Sequence, residues 1–204
     1  MPSSSLKTAT NYNNVAGAGT DWVSQTAMLT PAGTTDYLAC DTLGFAIPSG
    51  ATIVGIMVEF ERYKSFGTGT VRDYEVKLWQ PTVGLTASKA DTGTNWPGTI
   101  TTSSSYGGAA DVWGASWTYS QINDSAFGVY IKANETGGTG NATAVIGDAF
   151  VTVYYEVAAD PWAAWIASIM SSLIAGTQVA TGNASGGIGI HTGRSRSRHT
   201  PIGY

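Results

Sequence analysis

Charged side chains are scarce in this chain of 204 residues. Lys, Arg, Asp and Glu make up 12% of it, about half of the roughly 25% that is usual for soluble domains. This shortage excludes a charged disordered chain, and the 26 glycines argue against a helical bundle or a coiled coil. Threonine, glycine and aromatic residues are abundant instead, which suits strands joined by tight turns and favours an all-β fold.

Cysteine and histidine are nearly absent as well. Cys40 is the only cysteine, so no disulfide within the chain holds the fold, and we expect its thiol to be buried or merely tolerated. Both histidines, His191 and His199, lie in a glycine-rich C-terminal segment. The sequence therefore predicts no cofactor and no enzyme. A calcium ion held by loop aspartates, such as Asp111 or Asp148, stays open as an alternative.

Long apolar runs and basic clusters are missing too. The longest apolar stretch, around 161–175, is shorter than the ~20 residues that span a bilayer, and the N-terminus lacks the pattern of a secretory signal. Residues 1–160 hold seven Lys or Arg against fourteen Asp or Glu, so this part should repel phosphate backbones. We expect a soluble protein made in the cytoplasm, without a membrane or nucleic-acid partner.

Alternating apolar and polar residues predict strands between residues 36 and 157. The positions expected to face a core are Ile56, Val58, Phe60, Tyr74, Val76, Leu78, Phe127, Val129, Ile131, Val151, Val153 and Tyr155. The solvent face is expected to carry Glu59, Asp73, Glu75 and Lys77. No long helical period interrupts this region, so the sequence predicts an antiparallel β-sandwich over 36–157, after an arm or early edge strand at 1–35.

The pattern becomes helical after Asp160-Pro161, a favourable helix start. Residues 160–175 are predicted to form an amphipathic helix whose apolar face comprises Trp162, Trp165, Ile166, Ile169, Met170, Leu173 and Ile174. The other face holds only Ala and Ser. Because neither face is charged, we expect the helix to be covered on both sides.

Residues 176–204 form a Gly- and Ser-rich tail that should be disordered alone in water. It ends with alternating arginines that could meet acidic groups of a protein partner. The residues predicted to bind partners are Trp162, Trp165 and Ile169 on the helix and Arg194, Arg196, Arg198 and Tyr204 in the tail.

Tryptophans and carboxylates leave two other function classes open. Exposed tryptophans stack on sugar rings, so Trp79, Trp96, Trp113 and Trp117 suggest a carbohydrate- or receptor-binding module, with Trp113 and Trp117 as the possible glycan site. The alternative for that pair is that it closes the open end of the sandwich. Carboxylates that share a strand face, Glu59 with Glu61 and Asp73 with Glu75, suggest a glycan hydrolase as a distant possibility.

Five sequence blocks between residues 45 and 156 resemble β-sandwich virion proteins of tailed bacteriophages. They comprise Phe45 to Glu59, Val71-Arg72-Asp73 leading to Val76 and Leu78, Tyr106-Gly107-Gly108 leading to Asp111, Trp113-Gly114 and Trp117-Thr118, Ile122-Asn123 before Phe127-Gly128-Val129, and Val151 to Tyr155. The resemblance implies a jelly-roll-like fold and a structural, non-enzymatic role. The helix and the tail lie outside it.

The expected function is that of a phage virion protein that is made in the host cytoplasm. Capsid decoration or cement proteins, head fibres, and neck or tail components all fit the resemblance. The expected partners are the major capsid protein or neck and tail proteins, together with further copies of this chain, for which a trimer is favoured.

Overall fold

The computed structural model describes residues 2–99, 103–137, 140–159, 162 and 165–173. Its strands are β1 (Ser3–Thr8), β2 (Asn11–Val15), β3 (Thr26–Leu29), β4 (Tyr37–Asp41), β5 (Thr52–Gly67), β6 (Val71–Gln80), β7 (Gly84–Leu85), β8 (Ser103–Gly108), β9 (Gly128–Glu135) and β10 (Ala142–Glu156). A single turn of helix, α1 (Tyr119–Ile122), precedes β9. The chain divides into two compact units, residues 1–158 and 159–204.

The first unit consists of two antiparallel sheets packed together, which confirms the predicted all-β sandwich. The first sheet has the order β1-β10-β5-β8, and β3 also pairs with β10. The second sheet has the order β2-β4-β9-β6-β7. Residues 3–15, predicted as an arm or an early edge strand, thus form one edge strand in each sheet.

The core lies between the sheets and follows the predicted alternation closely. On β5 the inward side chains Ile56, Val58 and Phe60 are inaccessible to solvent, as are Phe127, Val129 and Ile131 around β9 and Val151 and Val153 on β10. Cys40 is fully buried there, and this burial raises the pKa of its thiol well above the ordinary value. The regular alternation therefore identified the faces of most core strands.

Strand β6 departs from the predicted alternation. Asp73, expected in solvent, is buried, and Tyr74, expected in the core, is 48% exposed. The cause is a register shift between Asp73 and Glu75 in the pairing of β6 with β9. The extra residue of such a bulge turns every side chain before it to the opposite face. Val76 and Leu78, beyond the bulge, are inward as predicted.

The core should dominate the stability of the sandwich. Replacing Val129, which is inaccessible on β9, by alanine should lower the free energy of unfolding by about 1–3 kcal/mol, because it removes buried methyl groups and leaves a small cavity. The matched control is Val15→Ala on the edge strand β2, where the side chain is 37% exposed and the loss should stay under about 0.5 kcal/mol. Urea denaturation measures both, and equal losses would contradict this assignment of the core.

Candidate interaction surfaces

The two predicted carboxylate pairs end up in different environments. Glu59 and Glu61 share the outer face of β5, and Ser105 donates to Glu59 over 3.3 Å. Asp73 and Glu75 lie on opposite faces of β6, because the bulge separates them. This second pair therefore offers no shared face for acid–base chemistry, contrary to the prediction.

Asp73 instead forms a buried ion pair with Arg62, which projects inward from β5. The side chains of Trp96 and Tyr106 donate to its two carboxylate oxygens over 2.8 and 2.7 Å, and the backbone N–H of Asp91 donates over 3.0 Å. Burial raises the pKa of Asp73, while Arg62 and the hydrogen-bond donors oppose that rise. The ion pair thus has the additional partners that a charged pair needs in a protein interior.

The Arg62–Asp73 ion pair connects parts of the chain that are distant in sequence. Arg62 donates from Nε to the hydroxyl of Ser104 on β8 over 2.9 Å, and its guanidinium lies 5.4 Å from the ring centre of Trp96. Both sheets and the loop before β8 therefore meet at this ion pair. Both carboxylate oxygens of Asp73 are engaged in these contacts.

Trp113 and Trp117 are buried, with only 1% and 8% of their surface exposed. The indole N–H of Trp113 donates to the carbonyl of Ile56 over 2.9 Å, and that of Trp117 donates to the carbonyl of Val112 over 2.9 Å. Trp117 also packs edge-on against Phe127. Both rings are buried, which favours the alternative that the pair packs within the sandwich over a role as a glycan platform.

Gly107 is the residue that lets Trp113 reach its position. Its backbone φ is +73°, and a Cβ atom there would lie 2.4 Å from the carbonyl oxygen of Ile56 and 2.6 Å from the indole nitrogen of Trp113. Only glycine fits such a conformation at such close approach. The block from Tyr106 to Thr118, one of the five that resemble tailed-phage proteins, therefore contains the glycine that this packing of Trp113 requires.

The candidate calcium ligands are separate in the structure. Asp111 forms a salt bridge of 2.7 Å with Lys89 and accepts the backbone N–H of Trp113, and these contacts lower the pKa of its carboxyl. Asp148 lines a different feature, an open cleft of about 380 Å³ that it shares with Glu61 and Tyr63. The described residues contain no group of three or more His, Cys, Asp or Glu placed to hold a metal ion.

The predicted C-terminal helix is present over the part of it that the structure describes, residues 162 and 165–173. Its apolar side chains are largely exposed: Trp165 by 57%, Ile166 by 54% and Met170 by 55%, whereas Ile169 is only partly exposed. The rings of Trp162 and Trp165 meet edge to face at 5.8 Å. On the Ser-bearing face, the hydroxyl of Ser172 donates to the carbonyl of Ser168 over 2.8 Å.

The remaining predicted partner-binding residues, Arg194, Arg196, Arg198 and Tyr204, lie outside the described residues. Within the described part, no helix is both long and apolar enough to cross a membrane.

Known proteins give little to compare with this chain. No protein-family model matches the sequence, and no curated protein sequence matches it. A solved structure of infectious bursal disease virus, Gt strain, aligns with 77% of this chain and 38% of its own chain, at 12% identity and a TM-score of 0.25.

The Arg62–Asp73 ion pair should show strong coupling between its two partners. Asp73→Leu should lower the free energy of unfolding by about 3–5 kcal/mol, because it leaves the guanidinium of Arg62 buried without its counter-charge. Adding Arg62→Met should recover part of that loss, because two apolar side chains then replace the ion pair. A double-mutant cycle in urea measures the coupling, and strictly additive losses would show that the two charges act independently.

Proposed function

We propose that this chain is a structural component of a virion that attaches through the apolar face of its C-terminal helix. The observation that carries the proposal is the composition and exposure of that helix. Residues 161–175 contain no charged side chain, and Trp165, Ile166 and Met170 are each more than half exposed. A contiguous apolar face of this kind marks an interaction site in a soluble protein.

The sandwich supports a structural role because several of the residues that suggested catalysis or sugar binding are buried in its interior. Asp73, Trp113 and Trp117 are all buried and bonded to other parts of the fold. All five blocks that resemble tailed-phage proteins contribute buried residues to the core of the sandwich. The finer proposal is a capsid cement or decoration protein, or a neck or tail component, of a tailed phage.

Further copies of the same chain are the simplest first partner for the helix. Oligomers usually close by symmetry, so that one face repeated around an axis becomes fully covered. We infer a homo-oligomer, with a trimer favoured, that also contacts the major capsid protein or a neck or tail protein. In this arrangement the arginines of the tail meet acidic groups of the neighbouring protein.

A charge placed in the apolar helix face should disrupt assembly and leave the sandwich folded. Met170→Glu in the full chain is expected to convert the oligomer to a monomer, because the carboxylate would lose its water in the interface. The control is Thr92→Glu, which adds the same charge at an exposed loop position of the sandwich and should leave the oligomer intact. Sedimentation velocity gives the oligomeric state, and circular dichroism confirms folding.

Incorporation into particles tests the virion role separately. In purified particles of the virus that encodes the chain, mass spectrometry should detect the unaltered protein, and Met170→Glu should reduce its amount. An unaltered protein that is monomeric and absent from particles would refute the proposal. A Met170→Glu protein that assembles and incorporates normally would refute the role of the helix.

A further inference from the structure

The outer face of the second sheet carries three neighbouring aromatic side chains from three adjacent strands. Tyr37 on β4, Tyr130 on β9 and Trp79 on β6 are all partly exposed. Their ring centres form a diagonal line in which Tyr130 lies 5.7 Å from Tyr37 and 5.7 Å from Trp79. We call these three residues the aromatic ladder.

The register of the sheet places the aromatic ladder on the side away from the core. Inward positions next to it, such as Leu38, Val129 and Leu78, are inaccessible to solvent. Side chains on alternate residues of these strands therefore point outward. A sheet face that meets only water usually carries polar residues, so a row of three large rings there indicates a surface with a further use.

Polar groups are held in place beside the rings. The hydroxyl of Tyr37 donates to one carboxylate oxygen of Glu75, and the ammonium of Lys77 donates to the other over 2.7 Å. The ammonium of Lys132 lies 4.4 Å from the ring centre of Tyr37. Burial, and the nearby charge of Asp41, raise the pKa of Tyr130, so its hydroxyl stays protonated and able to donate.

The charges around the aromatic ladder are balanced. Lys77 lies on β6 with Glu75, and Lys132 on β9 is the cross-strand partner of Glu75. Asp41 on β4 supplies the second negative charge and accepts a hydrogen bond of 2.6 Å from the side chain of Asn11. A balanced surface does not attract phosphate groups, which argues against nucleic acid and anionic lipid. The centres of protein–protein interfaces are enriched in Tyr and Trp but depleted in Lys, Glu and Asp, so the two lysines and two acids beside these rings favour a smaller ligand over a protein partner.

Aromatic rings bordered by fixed hydrogen-bonding groups suit a ligand with both apolar and hydroxylated faces. A sugar ring has both, because its C–H groups can pack on an aromatic face while its hydroxyls bond to carboxylate, ammonium and phenol groups at the edge. We propose that the aromatic ladder is a binding site for an uncharged saccharide. This proposal does not rest on the virion role, since it concerns the sandwich surface alone.

An array of immobilised neutral oligosaccharides, covering hexoses, deoxyhexoses and N-acetylhexosamines, tests the proposal with the full-length protein. We expect binding to at least one neutral class. Trp79→Ala and Tyr130→Ala should each weaken that binding by about tenfold or more, as truncation of a central aromatic residue does in binding sites. Isothermal titration calorimetry with the oligosaccharide from the array measures the change.

Two control variants separate binding from folding. Tyr154→Ala removes a partly exposed aromatic ring from the outer face of the first sheet and should leave saccharide affinity unchanged. Tyr130→Phe keeps the ring and removes one hydroxyl, so it should retain most of the affinity and the full melting temperature.

Three outcomes would overturn the proposal. The first is that the unaltered protein binds no neutral oligosaccharide on the array. The second is that Tyr154→Ala weakens binding as much as Trp79→Ala does while both variants stay folded. The third is that the ladder variants change only the oligomeric state, which would make this face a protein interface.

Discussion

The buried ion pair between Arg62 and Asp73 is the interaction on which the geometry of the sandwich depends. It joins β5 of one sheet to β6 of the other, and through Trp96, Tyr106 and Ser104 it fixes the loop before β8 and that strand itself. Losing one member of a buried charge pair is strongly destabilising, because the other charge is then left in the protein interior without its partner. The bulge in β6 turns Asp73 inward, where it meets Arg62.

This ion pair also explains where the sequence misleads. Period-two alternation correctly identified the inward residues Ile56 to Phe60 on β5, Val129 to Ile131 on β9 and Val151 to Val153 on β10, because the core-facing positions of these stretches are apolar. On β6, the run from Asp73 to Lys77 reads as a regular strand with its acids in solvent. The local sequence does not show that Asp73 pairs with Arg62 on β5. Arg62 itself follows Glu61 in the sequence and reads as an ordinary surface residue. A bulge whose inward acid pairs with a residue on another strand leaves no pattern in the local sequence.

Of the two candidate binding surfaces, one could be predicted from the local sequence and the other could not. The helix at residues 162 and 165–173 was predictable because its apolar period and its lack of charge are properties of the local sequence. Tryptophan content suggested a binding surface, yet Trp96, Trp113 and Trp117 are buried and Trp79 is the one of the four that is partly exposed. The aromatic ladder itself required the strand register, because Tyr37 and Tyr130 are far apart in sequence and become neighbours only when β4 pairs with β9.

Strand β10 has a consequence for the time course of folding. It is the central partner in the first sheet, pairing with β5 along its length and with β1 and β3 on its other side. Ser3 pairs with Tyr155, so β1, the first described strand, has no partner until β10, the last described strand, has been synthesised. Contacts so distant in sequence slow folding, because the loop must close before they contribute. During synthesis, β1 can therefore pair with β10 only after almost the whole sandwich has left the ribosome. Until then, the backbone groups of β1 stay accessible to chaperones or to other nascent chains.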